Sequence, residues 1–218
     1  MISTTRPQKT LEDLRGKLMI RTGAAAGASF GYPLFEEFLK DAQDQLWNMV
    51  TWKFKKTYND QPANINEKWY DLPDDCDMEK IERVAFRREG SSIEFQLKAG
   101  IESWMRSVNP AGVPYRYEVR TNPDSVSPNP VQIEVYPTIK TPGTIRVYYE
   151  RTPGAFAAPK DRATVPDDLL LLFALYNAKT HFQKPDASAI GDQFKAMLSM
   201  YTAKNRVKTV HRQSTRTD

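Results

Sequence analysis

The stretch Val165-Pro166-Asp167-Asp168-Leu169-Leu170-Leu171-Leu172-Phe173-Ala174-Leu175-Tyr176 decides the fold. Pro166 stands where a helix start tolerates proline, and Asp167 and Asp168 put acid in the first turn, where the helix dipole favours it. The following residues are apolar almost all round and continue to Phe182, so this helix is expected to be the most buried of the chain. Lys184-Pro185-Asp186 ends it. A last helix is expected over residues 187–203, with Ile190, Phe194, Met197, Leu198 and Tyr201 on one side.

Upstream the period is two rather than 3.6. Trp52-Lys53-Phe54-Lys55 alternates, as do Ile93-Glu94-Phe95-Gln96-Leu97 and Tyr115-Arg116-Tyr117-Glu118-Val119. Val131-Gln132-Ile133-Glu134-Val135 and Ile145-Arg146-Val147-Tyr148-Tyr149 do the same. Turn signals separate the runs at Asn59-Asp60, Glu89-Gly90-Ser91, Asn122-Pro123-Asp124 and Pro142-Gly143. Apolar residues alternating with charged ones imply antiparallel strands with one wet face. Residues 51–151 therefore read as a block of about six to eight strands, with a helical turn or short helix within 99–108.

Before this block the helical period holds. Residues 10–21 carry Leu11, Leu14 and Leu18 on one face, Glu12 and Asp13 in the first turn, and Gly23 as a stop. The small residues 24–29 read as a flexible connection. Pro33 opens a second helix of about 16 residues, with Leu34, Phe38, Ala42 and Leu46 recurring at fours and Leu39, Gln43 and Trp47 alongside. Helices, strands, helices is an α+β pattern. The N- and C-terminal helices are expected to pack into one helical core, with the antiparallel β-rich block inserted as a sandwich-like domain.

Composition narrows the function classes. Of the 31 Lys+Arg and 27 Asp+Glu, five bases and one acid lie in residues 204–218, leaving 26 of each sign in the rest. The net charge of +4 is thus a neutral body with a basic arm. No apolar run approaches the ~20 residues that span a bilayer, and the first residues lack the apolar stretch of a secretory signal. One cysteine allows neither an intrachain disulfide nor a Cys-based zinc site, and cytosolic synthesis is expected. Two histidines, and none of the nucleophile-elbow, phosphate-loop, zincin or dinucleotide motifs, argue against an enzyme and give no cofactor or metal.

At this point the sequence resembles the head-to-tail adaptor (connector) proteins of tailed bacteriophages, of the tail-tubular-protein-A type of short-tailed phages. Phe35-x-x-Phe38-Leu39-x-Asp41-Ala42 is followed by Trp52-x-Phe54, then Tyr70-x-Leu72-Pro73-x-Asp75. Later come Ile133-x-Val135-Tyr136-Pro137, Ile145-x-Val147-Tyr148-Tyr149-x-x-x-Pro153 and Val165-Pro166-Asp167-Asp168. The ordered set runs over residues 33–203. The resemblance implies a structural virion protein of the neck: a ring, usually of twelve copies, between the capsid portal and the tail-tube or nozzle component. Double-stranded DNA passes through its lumen, and the ring helps retain the packaged genome until ejection. Residues 1–50 and 164–203 would be the ring-forming helical core, 51–163 the inserted β-rich domain and 204–218 the arm. The protein would be a monomer in isolation and assemble on the portal in the host cytoplasm, with no membrane partner.

The same resemblance points to the end of the last helix and the arm as the portal-binding segment, at Tyr201, Lys204, Arg206, Val207, Lys208, Val210, His211, Arg212 and Arg216. The alternatives for the arm are contact with DNA phosphates, which would make the chain a nucleic-acid-binding module, and a solvated terminus. Other residues read more plainly. Asp74, Asp75, Asp77 and Glu79 lack the spacing of a calcium loop and read as a solvated turn. His181 reads as helix-end packing, Cys76 among acids as an inert thiol, and Trp47, Trp52, Trp69 and Tyr70 as core or subunit contacts rather than a stacking platform. Tyr148 and Tyr149 must put one ring on each face of a sheet.

Overall fold

A computed structural model of the chain describes residues 8–23, 32–108, 110–125 and 130–205. It is 39% helical and 30% strand, and apart from one short helix among the strands the two kinds of element occupy separate stretches, which makes the fold α+β. The chain divides into two compact units, Met1–Lys53 with Pro153–Asp218, and Phe54–Thr152.

In the first unit, helix α1 spans Leu11–Thr22. Thr10 and Asp13 form a reciprocal capping box at its start, and Gly23 closes its end at φ 75°, a conformation that glycine adopts without a Cβ penalty. Helix α2 spans Tyr32–Met49, and its buried stripe is Phe35, Leu39, Ala42, Gln43, Leu46 and Trp47. The stripe is therefore not led by the expected Leu34 and Phe38. Leu34 is exposed and Phe38 only partly covered, because the contact surface is set one residue further round. Buried Gln43 is satisfied by accepting from Thr164 N at 2.8 Å and donating to the Gly154 carbonyl at 3.4 Å.

Helix α4 spans Asp167–His181 and buries Leu169 through Leu175 together with Ala178, as its all-round apolar sequence requires. Helix α5 spans Ala187–Asn205. Its Phe194 stacks on Phe173 with centroids 4.3 Å apart, and Ile190, Met197, Leu198 and Tyr201 lean on the same core.

The second unit holds β1 (Lys56–Ala63), β2 (Trp69–Asp71), β3 (Cys76–Arg88), β4 (Glu94–Gln96), β5 (Lys98–Ala99) and a one-turn helix α3 (Ser103–Ser107). It continues with β6 (Ala111–Gly112), β7 (Arg116–Thr121), β8 (Val131–Tyr136), β9 (Thr138–Ile139) and β10 (Gly143–Arg151). One sheet has the order β1-β10-β3-β4, a second β2-β8-β7-β5, and β6 pairs with β9. Val84, Phe86, Ile145, Val147 and Tyr149 from the first sheet meet Tyr70, Ile133 and Val135 from the second in one core. That is sheet-on-sheet packing with alternate residues turned inward.

Several local expectations change. Asn59-Asp60 is no turn but the middle of β1, where Asn59 pairs with Val147 and Asp60 with Arg146. Trp52-Lys53-Phe54-Lys55 is not a strand. Trp52 is buried, Lys53–Lys55 form a 3-10 turn, and the strand begins at Lys56. The 13-residue β3 has no clean alternation, because a register shift opposite Tyr148 and Tyr149 breaks its period. It takes up Asp77 and Glu79, which leaves only Asp74 and Asp75 at the turn. The strand pairs are antiparallel except β5 with β7 and β6 with β9, which run parallel. The supposed wet face of β8 is closed, with Gln132 and Glu134 both buried.

Candidate interaction surfaces

The last turn of α5 carries the two arm residues that fall within the described part, Tyr201 and Lys204. Tyr201 donates its hydroxyl to Asp168, at 2.9 Å from Oδ1 and 3.1 Å from Oδ2. Burial, and then this carboxylate, push the Tyr201 phenol up to about 12, so it remains a protonated donor. Its ring meets Trp52 edge-on at 6.0 Å, and Trp52 Nε1 is held by the Leu46 carbonyl at 3.1 Å. The Lys204 ammonium lies 5.5 Å from the Tyr201 ring centroid.

Lys53 then ties down the helix end. Its ammonium donates to the Lys204 carbonyl at 3.0 Å, and its backbone N–H donates to Asn205 Oδ1 at 3.3 Å. A cation on a terminal carbonyl satisfies an orphan acceptor and complements the dipole. The helix therefore runs through Asn205 rather than ending at 203. The other arm residues read from the sequence, Arg206, Val207, Lys208, Val210, His211, Arg212 and Arg216, lie outside the described residues, as does the small-residue stretch 24–29.

Beside Asp168 a groove of about 670 Å³ lies between α1, α4 and α5. Lys9, Arg21, Asp167 and Asp168 form its rim over Leu171, Leu172 and Met197. Asp167 Oδ2 accepts from Lys9 N at 3.0 Å, while Oδ1 is buried with no hydrogen-bond partner. The mixed rim over an apolar floor suits contact with protein, and it presents no nucleophile paired with a base.

On the β unit the two adjacent tyrosines divide as alternation demands. Tyr149 points inward and donates to Asp75 Oδ1 at 2.6 Å, and burial with that carboxylate pushes its phenol strongly upward. Tyr148 points outward and donates to Glu94 Oε1 at 2.9 Å, with the Arg83 guanidinium 3.8 Å from its ring centroid. Arg146 grips Asp60 with two hydrogen bonds of 2.6 Å and lies 4.4 Å from the centroid of exposed Tyr58. That fork holds the Asp60 carboxyl below its usual range. The result is a ladder of Tyr58, Arg146, Tyr148 and Arg83 with fixed rotamers, built from residue types that anchor protein interfaces. The sequence shows Arg146 and Tyr148 alternating, but the ladder stays hidden as long as Asn59-Asp60 reads as a turn.

On the second sheet, Glu134 is buried among Lys68 Nζ at 3.9 Å, Arg106 Nε at 3.4 Å and Arg120 Nη1 at 3.4 Å. Trp69 lies in the same row, 5.5 Å from both the Lys68 and Arg120 cations. Trp47, Trp52 and Tyr70 are core residues. His181 stands edge-on to Phe38 and Phe182 at 5.5 and 5.1 Å. Cys76 is buried, and desolvation together with Asp75 and Asp77 raises its thiol to about 11, far from a reactive thiolate. Among the described residues no group of three His, Cys, Asp or Glu is placed to hold a metal ion, and no helix is long and apolar enough to cross a membrane.

The sequence profile of the SU10 adaptor proteins matches residues 9–217, across both units. The chain belongs to the SU10 adaptor protein family. This is a family of phage adaptors, so the resemblance to phage adaptor proteins holds at the level of the family, and the role is that of a structural virion component. No curated protein matches the chain. An SU10 adaptor works by contact with other phage head and tail proteins. The α5 end with its groove, and the outer faces of the two sheets, are the candidate surfaces for such contacts.

Proposed function

We propose that this SU10 adaptor forms a ring, of twelve copies, between the capsid portal above and a tail-tube or nozzle component below. Double-stranded DNA passes through the ring, which helps retain the packaged genome. Residues 206–218 act as the arm that docks on the portal, with the protein monomeric at ordinary ionic strength until the portal templates the ring in the host cytoplasm. The observation that carries this reading is the family match over nearly the whole chain. The fixed end of α5 supports it further, because Tyr201 and Asn205 give the basic segment a rigid root.

The root also sets where the arm should be cut. A deletion from residue 204 would remove the Lys204 carbonyl and the Asn205 amide that Lys53 binds. Deleting 206–218 leaves both in place. That truncation should melt with the full-length protein yet fail to co-purify with the portal. Undiminished portal binding would overturn the docking role, and strong duplex binding with a steep salt slope in the full chain would favour a nucleic-acid module instead.

A further inference from the structure

Strand β3 has opposite charge at its two ends. At its start, exposed Asp74 and Glu79 have no cation within ion-pair reach among the described residues, whereas their neighbours Asp75 and Asp77 are taken up by Arg151 and Lys80. At its end, Arg87 and Arg88 form no ion pair among the described residues, although Glu94 stands opposite Arg87 and Glu89 follows in the turn. Arg87 does lie close enough to Asp60 to lower its pKa, but both Asp60 oxygens are already held by Arg146.

Glu79 and Arg87 are eight positions apart, about 26 Å at ~3.3 Å per residue. That exceeds the ~10 Å screening length at 0.1 M salt, so neither patch neutralises the other within one chain. Each patch also adjoins apolar surface. Met78, 52% exposed, precedes Glu79, and Ile93 and Phe95, 62% and 46% exposed, flank Glu94; Phe95 lies on the face of Phe86 and Glu94 on that of Arg87, so charge and apolar surface come together along the β3–β4 edge of the sheet.

We propose that these two ends are the two halves of one contact between copies of this chain: the Asp74, Met78 and Glu79 end of one copy seats on the Arg87, Arg88, Ile93 and Phe95 end of the next. The inference rests on the ring reading and adds a contact in the β unit to the helical core expected to form the ring. Like ends repel, so each patch needs its opposite, and a contact between two different patches repeats head to tail. A two-fold pairing of β3 against β3 would also match the charges, but β4 already occupies the edge over Ala85, Phe86 and Arg87. The apolar residues supply the adhesion, and the charges fix orientation and register.

The test uses two charge-reversed full-length variants, Arg87→Glu with Arg88→Glu, and Asp74→Lys with Glu79→Lys. At low ionic strength, where screening is weak, the light-scattering mass of the unaltered protein should climb with concentration. Each variant alone should stay at the monomer mass, and a one-to-one mixture should recover association, because alternating copies then meet with opposite charge at every contact. The single changes Arg88→Glu and Glu79→Lys, at exposed positions, repeat the test should a double variant misfold. Unaltered protein that stays monomeric at low salt, variants that associate as it does, or growth that stops at a dimer would each overturn the proposal. Portal co-purification of the same variants separates the two readings: portal binding that persists while this contact fails leaves the adaptor function standing.

Discussion

Tyr201 and Asp168, 33 residues apart in sequence, are joined by a hydrogen bond of 2.9 Å that pins the end of α5 to the first turn of α4. The carboxylate is thus shared between the dipole of its own helix and the phenol of the next. One bond thereby holds the last turn of α5 against the start of α4.

Tyr201→Phe removes that bond and keeps the edge-on contact with Trp52. A hydrogen bond to a charged group contributes more than a neutral one, but partial exposure at this site brings the expected cost to about 1 kcal/mol. For a chain of this size that lowers the melting temperature by about 2–4 °C. If the pinned helix end presents the arm, the variant should also weaken portal association while circular dichroism stays unchanged.

Alkaline titration supplies an independent check. The Tyr201 phenol titrates near 12 in the fold, above the ordinary value of 10.0, so the folded state holds its proton more tightly than the unfolded one. The resulting stabilisation is complete below pH 10 and is lost as pH climbs to about 12. The stability gap between the unaltered protein and Tyr201→Phe should therefore be widest below pH 10 and close over that window, as followed by urea denaturation at stepped pH.

Gly143 opens β10 opposite Arg88 of β3. A Cβ there would stand 2.4 Å from the Arg87 carbonyl oxygen and 2.6 Å from the Phe86 ring, and the first of these is backbone that cannot swing aside. Gly143→Ala should cost about 2–3 kcal/mol, at the upper end for overpacking. A lowered denaturation midpoint with an unchanged slope would identify the loss as native-state strain.

How much of this could be read from the sequence depends on what sets each element. The helices were legible because local signals agreed: Thr10 and Gly23 bracket α1, and Asp167, Asp168 and the leucine run define α4. Strand β1 was not, since Lys56-Thr57-Tyr58-Asn59-Asp60 becomes a strand only through pairing with β10, and Asp60 finds its reason in Arg146, 86 residues away. Glu134 misled in the other direction. Alternation placed it on the correct face, but the bases that bury it come from β7, α3 and the residue before β2. Charge and the family resemblance single out the arm, and only its root, Tyr201 and Lys204, has a structural account.

The Glu134 site also permits a test with a predicted sign. Glu118 and Glu134 are directly opposed on β7 and β8, and like charges in that position destabilise a sheet. Arg106 offsets this by pairing with both carboxylates from α3. Arg106→Gln should therefore cost about 1–2 kcal/mol, since it exposes one carboxylate to another while Glu134 remains buried. Adding Glu134→Gln removes one of the opposed charges, so the double variant should be more stable than Arg106→Gln alone. A double-mutant cycle by urea denaturation measures the coupling. Equal or additive losses would show that Lys68 and Arg120 neutralise Glu134 by themselves, and that Arg106 contributes only through the packing of its helix.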